Sequence, residues 1–72
     1  MSQERFEGFV VGPFRNSWKV RAYNLDGSRG KETLEVRSYR REVTLLEGLD
    51  VTFEVGTVGP KKKKVALEVD LL

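Results

Sequence analysis

The chain has 72 residues, with 13 Lys plus Arg against 11 Asp plus Glu, no His, no Cys and 39% hydrophobic residues. A chain this short buries only about 60% of its unfolded surface, which leaves one core and no deep catalytic cavity. Without Cys or His there is no disulfide framework, no thiolate nucleophile and no imidazole base or ligand, so neither an enzyme nor a cofactor or metal centre is expected.

The first element, Arg5 to Val11, places Phe6, Gly8 and Val10 on one face and Glu7, Phe9 and Val11 on the other. Apolar residues on both faces predict a strand used twice, bending between two sheets, with Gly8 and Gly12 free to supply the bend. Phe9 is a candidate surface aromatic, and Phe14 a plug for the end of a barrel. In Trp18-Lys19-Val20-Arg21-Ala22-Tyr23 the inward set is Trp18, Val20 and Ala22, against Lys19, Arg21 and Tyr23. Trp18 is expected in the core, with an exposed stacking position as the other reading. After Asp26-Gly27-Ser28-Arg29-Gly30, a turn, Leu34 to Tyr39 alternates Leu34 and Val36 against Arg37 and Tyr39. Val43 to Glu47 is a helix candidate, with capping-box spacing between Thr44 and Glu47 and a stop at Gly48, or else a short extra strand. Val51 to Val55 and Val65 to Leu71 complete the pattern, with Val51, Phe53, Val55, Val65, Leu67, Val69 and Leu71 inward.

Five short strands with turns every 8–12 residues predict an all-β, small five-stranded antiparallel barrel over residues 1–72, a single domain. A closed barrel also removes the sheet edges that so small a chain could scarcely cover. An oligonucleotide-binding (OB) fold and an SH3-like barrel both fit the pattern.

The C-terminal third resembles the cold-shock domain family. Leu46-Glu47-Gly48-Leu49-Asp50-Val51-Thr52-Phe53-Glu54-Val55 looks like that family's fourth strand and its lead-in. Gly59-Pro60 stands where such domains have a Gly-Pro loop, and Val65 to Leu71 would be the closing strand. The resemblance implies an OB barrel. The family's two base-stacking motifs, Lys-Gly-Phe-Gly-Phe and Val-Phe-Val-His-Phe, are absent; Asn16 to Arg21 and Thr33 to Tyr39 occupy their place. Arg37 to Val51 also resembles the third strand, short turn and fourth strand of S1-like OB domains.

Net charge is unevenly distributed. Residues 1–41 carry nine basic side chains against five acidic, a balance of +4, and residues 42–72 carry four lysines against six acids, a balance of −2. The first set is mostly arginine, which stacks on bases and grips phosphate with two donors. Lys19, Arg21, Tyr23, Arg37, Tyr39 and Arg41 are therefore expected to form a basic, aromatic face on strands two and three, with Phe9 and Trp18 as further stacking candidates. Lys61, Lys62, Lys63 and Lys64 form a positive loop suited to phosphate. The expected function is non-catalytic binding of single-stranded RNA or DNA, RNA before DNA. The alternative is a protein-interaction module or small regulator, docking through Phe9, Val11 and Phe14 on a larger nucleic-acid-processing machine. No apolar run approaches the roughly 20 residues needed to cross a bilayer, and Met1-Ser2-Gln3-Glu4-Arg5 has no apolar signal core. A cytoplasmic monomer without membrane association is the expectation.

Overall fold

The computed structural model describes residues 4–15 and 17–72, leaving aside the side chain of Phe14. The N-terminal Met1-Ser2-Gln3, Asn16 at the head of the expected second strand, and the Phe14 ring as plug or docking contact lie outside the described residues. Five strands form: β1 (Phe6–Phe14), β2 (Ser17–Tyr23), β3 (Arg29–Val36), β4 (Asp50–Val58) and β5 (Lys63–Leu71). They close into a barrel in the order β1-β2-β3-β5-β4. All pairings are antiparallel except β3 with β5, which is parallel. That closure is OB-like and sets the SH3-like alternative aside. No described helix is long and apolar enough to cross a membrane.

β1 is the strand used twice. Gly8 and Phe9 pair with Ala22 and Arg21 of β2 on one side and with Val51 and Asp50 of β4 on the other. The bend falls at a bulge between Val10 and Gly12, where Gly12 takes a φ of 106°. Gly8 has a different task. A Cβ there would collide with the Arg21 carbonyl oxygen and come within 2.8 Å of Phe53 Cε1, so only glycine lets β2 approach this closely.

Val10, Val20, Leu34, Leu45, Val51, Phe53, Ala66 and Val69 make the core, and Trp18, Ala22, Val36, Val43 and Leu49 pack against it. Trp18 thus takes the core side of its two readings. The expected inward set of β5 needs correction, because Ala66 and Val69 both enter the core while Leu71 is 46% exposed. Two inward residues three apart require a break in the period of two. The break is a bulge opposite Phe53, with Glu68 at φ 51°. Glu68 is fastened there from both sides: its N–H donates to Ser38 Oγ at 2.9 Å and its carbonyl accepts from Arg5 Nη2 at 2.6 Å. Arg5 also reaches the Thr52 carbonyl and the Glu54 carboxylate, tying the bulge to β4. Val55 is also less buried than expected, at 38% exposure.

The left-handed backbone at Glu68 is costly for a residue with a Cβ. Glu68→Gly is expected to stabilise the fold by about 0.5–1 kcal/mol, since relief of strain outweighs the added unfolded-state entropy. A urea midpoint unchanged or lowered in this variant would contradict the account of the bulge.

The segment 37–49 is neither helix nor strand, which corrects the helix candidate at Val43 to Glu47 and the strand expected to run to Tyr39. Its two ends are drawn onto different neighbours. Arg37 N–H and Arg40 N–H donate to the Ala66 and Val69 carbonyls, extending the parallel contact with β5. Further on, Val10 N–H donates to the Leu49 carbonyl and Gly48 N–H donates to the Val10 carbonyl. A chain committed to β5 and β1 in this way has no freedom to close a helical ladder. The S1-like reading of Arg37 to Val51 as strand, turn and strand is corrected with it.

Candidate nucleic-acid interface

The outer face of β1 and β2 carries the most concentrated arrangement of arginine and aromatic rings. Phe9 lies opposite Arg21 in register, and Tyr23 lies opposite Arg29 of β3. The Phe9 and Tyr23 rings are 5.3 Å apart at a tilt of 36°, and the Arg29 guanidinium sits 4.8 Å above the Phe9 centroid. So covered, Phe9 is 7% exposed, which corrects its expected place as a surface aromatic: the Arg29 guanidinium and the Tyr23 ring lie over it. Tyr23 Oη donates to Asp50 Oδ1 at 2.6 Å, and this bond to a carboxylate holds the phenol pKa above its usual 10.0. Arg21 Nε donates to Thr33 Oγ1 at 3.0 Å.

Beside these rings the bulge of β1 opens a cleft of about 340 Å³, lined by Phe9, Val11, Arg21, Arg29, Glu47 and Gly48. Bulges recur next to binding sites because they redirect side chains without ending the strand. The loop wall is held by the two Val10 hydrogen bonds and by Leu49 N–H donating to the Leu46 carbonyl at 3.0 Å.

The candidates from sequence divide into groups. Lys19, Arg21 and Tyr23 share β2 as expected, and Phe9 joins them from β1. Arg37, Tyr39 and Arg41 do not. They follow the end of β3, where Tyr39 bridges Val69 on β5, so the two tyrosines stand on different strands' neighbours and form no common platform. Several cations are also engaged by acids. Arg37, Lys19 and Lys63 all reach Glu35, at 3.0, 3.3 and 3.3 Å. Arg41 Nε is 2.7 Å from Asp70, and Lys64 is 3.8 Å from Glu32. Among the described residues, Arg15, Arg21, Arg29, Lys31, Arg40, Lys61 and Lys62 have no such carboxylate partner, and of these Arg21 and Arg29 line the cleft.

The lysine loop is shorter than expected. Lys63 and Lys64 belong to β5, and only Lys61 and Lys62 lie in the turn that Lys62 N–H closes on the Gly59 carbonyl at 3.1 Å. Asp50 of β4 borders Phe9, whereas the turn follows Val58, so roughly 26 Å of strand separates them. Arg29 and Glu47 are the cleft residues that sequence reasoning missed. Arg29 reads as part of a turn, and Glu47 as a helix position, until pairing is known.

Glu35 gives the charged surface a pH signature. Hydrogen bonds from Arg37, Lys19 and Lys63 hold its carboxyl down at about 2, against an ordinary 4.5. The bond from Arg41 likewise lowers Asp70. A depressed folded-state pKa means that the unfolded chain binds the proton more readily, so the contribution is full above pH 4.5 and is lost as pH falls towards about 2. Across that window wild type should lose more stability in urea than Glu35→Gln; equal losses would show that the three cations do not hold Glu35 in solution.

Comparison with protein-family models, with curated proteins and with solved structures finds no match. The strand order and closure alone define the class, an OB-like barrel.

Proposed function

We propose that this barrel is a non-catalytic module of cold-shock-like type that binds single-stranded nucleic acid, RNA or DNA. The observation that carries the reading is the Phe9–Tyr23 pair flanked by Arg21 and Arg29, two guanidiniums without carboxylate partners, on an open cleft. Stacking on aromatic rings and cationic contacts to phosphate are the two ingredients of sequence-tolerant single-strand binding. Arg29 already lies on Phe9 as a base would. A base that displaces it gains the ring, and the freed guanidinium meets the adjoining phosphate. Lys61 and Lys62 supply a second, sequence-blind contact, while Lys19, Arg37 and Lys63, which share Glu35, and Arg41 and Lys64, each beside one acid, contribute less because those carboxylates offset part of their charge.

Docking on a protein has one observation in its favour. Leu46, beside the cleft, is 64% exposed, and Leu25 is fully exposed. One titration separates the readings: Trp18 fluorescence or anisotropy with a short thymine oligonucleotide at about 50 and about 200 mM salt. The nucleic-acid reading predicts binding whose log affinity falls by about 0.7 per phosphate contacted for each unit of log salt. No binding at the lower salt would sink it.

A further inference from the structure

A carboxylate on the wall of a site for a polyanion is out of place unless it has work there. Glu47 lines the cleft with Arg21 and Arg29. Its side chain lies across β1 at Gly12, where an added Cβ would be 3.6 Å from Glu47 Cδ and 3.7 Å from Oε2. The backbone on either side is fixed, since Gly48 N–H donates to the Val10 carbonyl and Leu49 N–H to the Leu46 carbonyl. Among the described residues Glu47 has no hydrogen bond or ion pair of its own. Its exposed carboxylate therefore reaches the cleft from a fixed backbone, with both oxygens free to accept among the described residues.

Against a phosphate such a group only repels. Against a base edge it is selective. A carboxylate accepts two parallel hydrogen bonds best where two N–H donors stand side by side. Guanine has that arrangement at N1 and N2. Cytosine and adenine each set a ring-nitrogen acceptor beside the exocyclic amine, and uracil or thymine flanks its single N–H with two carbonyls. Guanine's opposite edge, O6 and N7, is also the preferred base partner of arginine. Unstacked bases in single strands can be read on both edges at once. A cleft of about 340 Å³, small for a ligand site, suits one base rather than several.

We infer that the cleft between the β1 bulge and the 46–49 loop selects guanine, with Glu47 accepting from N1–H and N2–H and one of the two lining arginines, Arg21 or Arg29, donating to O6 and N7. This rests on the single-strand binding reading and adds a base preference to it.

The test uses the full chain and thymine oligonucleotides that differ only in the central base: guanine, adenine, cytosine or thymine. A single guanine cannot assemble into higher-order strands. The expected result is at least about fivefold tighter binding of the guanine oligonucleotide, the lower end of what a good bidentate contact discriminates. In Glu47→Gln, whose amide offers one acceptor and turns a donor towards the second N–H, the preference should fall below about twofold. Affinity for the all-thymine strand should rise as the negative charge is removed. Equal binding of all four strands by wild type, or a guanine preference that survives in Glu47→Gln, would overturn the inference while leaving single-strand binding in place. If no strand binds, both fall together.

Discussion

Phe53→Ala is expected to cost about 3–5 kcal/mol and to leave the barrel largely unfolded at physiological temperature. Phe53 is the largest fully buried side chain and has no exposed surface. Its ring is stacked on Phe6 with centroids 6.4 Å apart and lies beneath Gly8, which has no side chain with which to fill a void. The neighbouring core positions Val10, Val20, Val51 and Val69 are β-branched and stiff at χ1, so the cavity cannot collapse easily. A domain this small has only of order 5 kcal/mol in reserve, so the loss consumes most of it. Urea unfolding followed by Trp18 fluorescence measures it, and a cost under about 1 kcal/mol would mean the core is not organised around this ring. Adding Gly8→Ala should not rescue the variant. Its Cβ would still meet the Arg21 carbonyl, which trimming Phe53 does not move.

The second large effect concerns binding. Arg21→Ala combined with Arg29→Ala should weaken affinity for a thymine oligonucleotide by tenfold or more at about 50 mM salt, and flatten the salt slope by about 1.4. Lys61→Ala with Lys62→Ala should flatten the slope without touching the stacking contribution. The single changes should differ in kind. Arg21→Ala removes a cation together with its bond to Thr33, whereas Arg29→Ala also uncovers the Phe9 ring, which partly offsets the lost charge. A double variant that binds as wild type does would remove the cleft from the account.

Much of the barrel is legible in the sequence, because alternation reports burial directly in a half-buried strand. Val20, Val51 and Phe53 alternate as a strand requires, and each is fully buried. The errors arise where a single residue changes the phase. Glu68 in the left-handed region brings Ala66 inward as well as Val69, and no glycine marks the place. Leu34 to Tyr39 reads as one alternating strand, yet pairing with β5 draws Ser38 to Arg40 away from β2. The candidate site was half legible for the same reason. Arg21 and Tyr23 follow from the period of β2 alone. Phe9 is also singled out by its place opposite Phe6 and Val10, but Arg29 and Glu47, which complete the site, are brought in by register, a bulge and two long-range hydrogen bonds, none of which a local pattern contains.

The central claim is that the β1–β2 face around Phe9 takes the strand. Amide chemical-shift mapping on addition of a short single-stranded oligonucleotide tests it most directly. The account predicts that the largest shifts gather at Phe9, Val11, Arg21, Tyr23, Arg29 and Gly48, with smaller ones at Lys61 and Lys62. Shifts confined to the lysine turn and β5, with the Phe9 face silent, would contradict it.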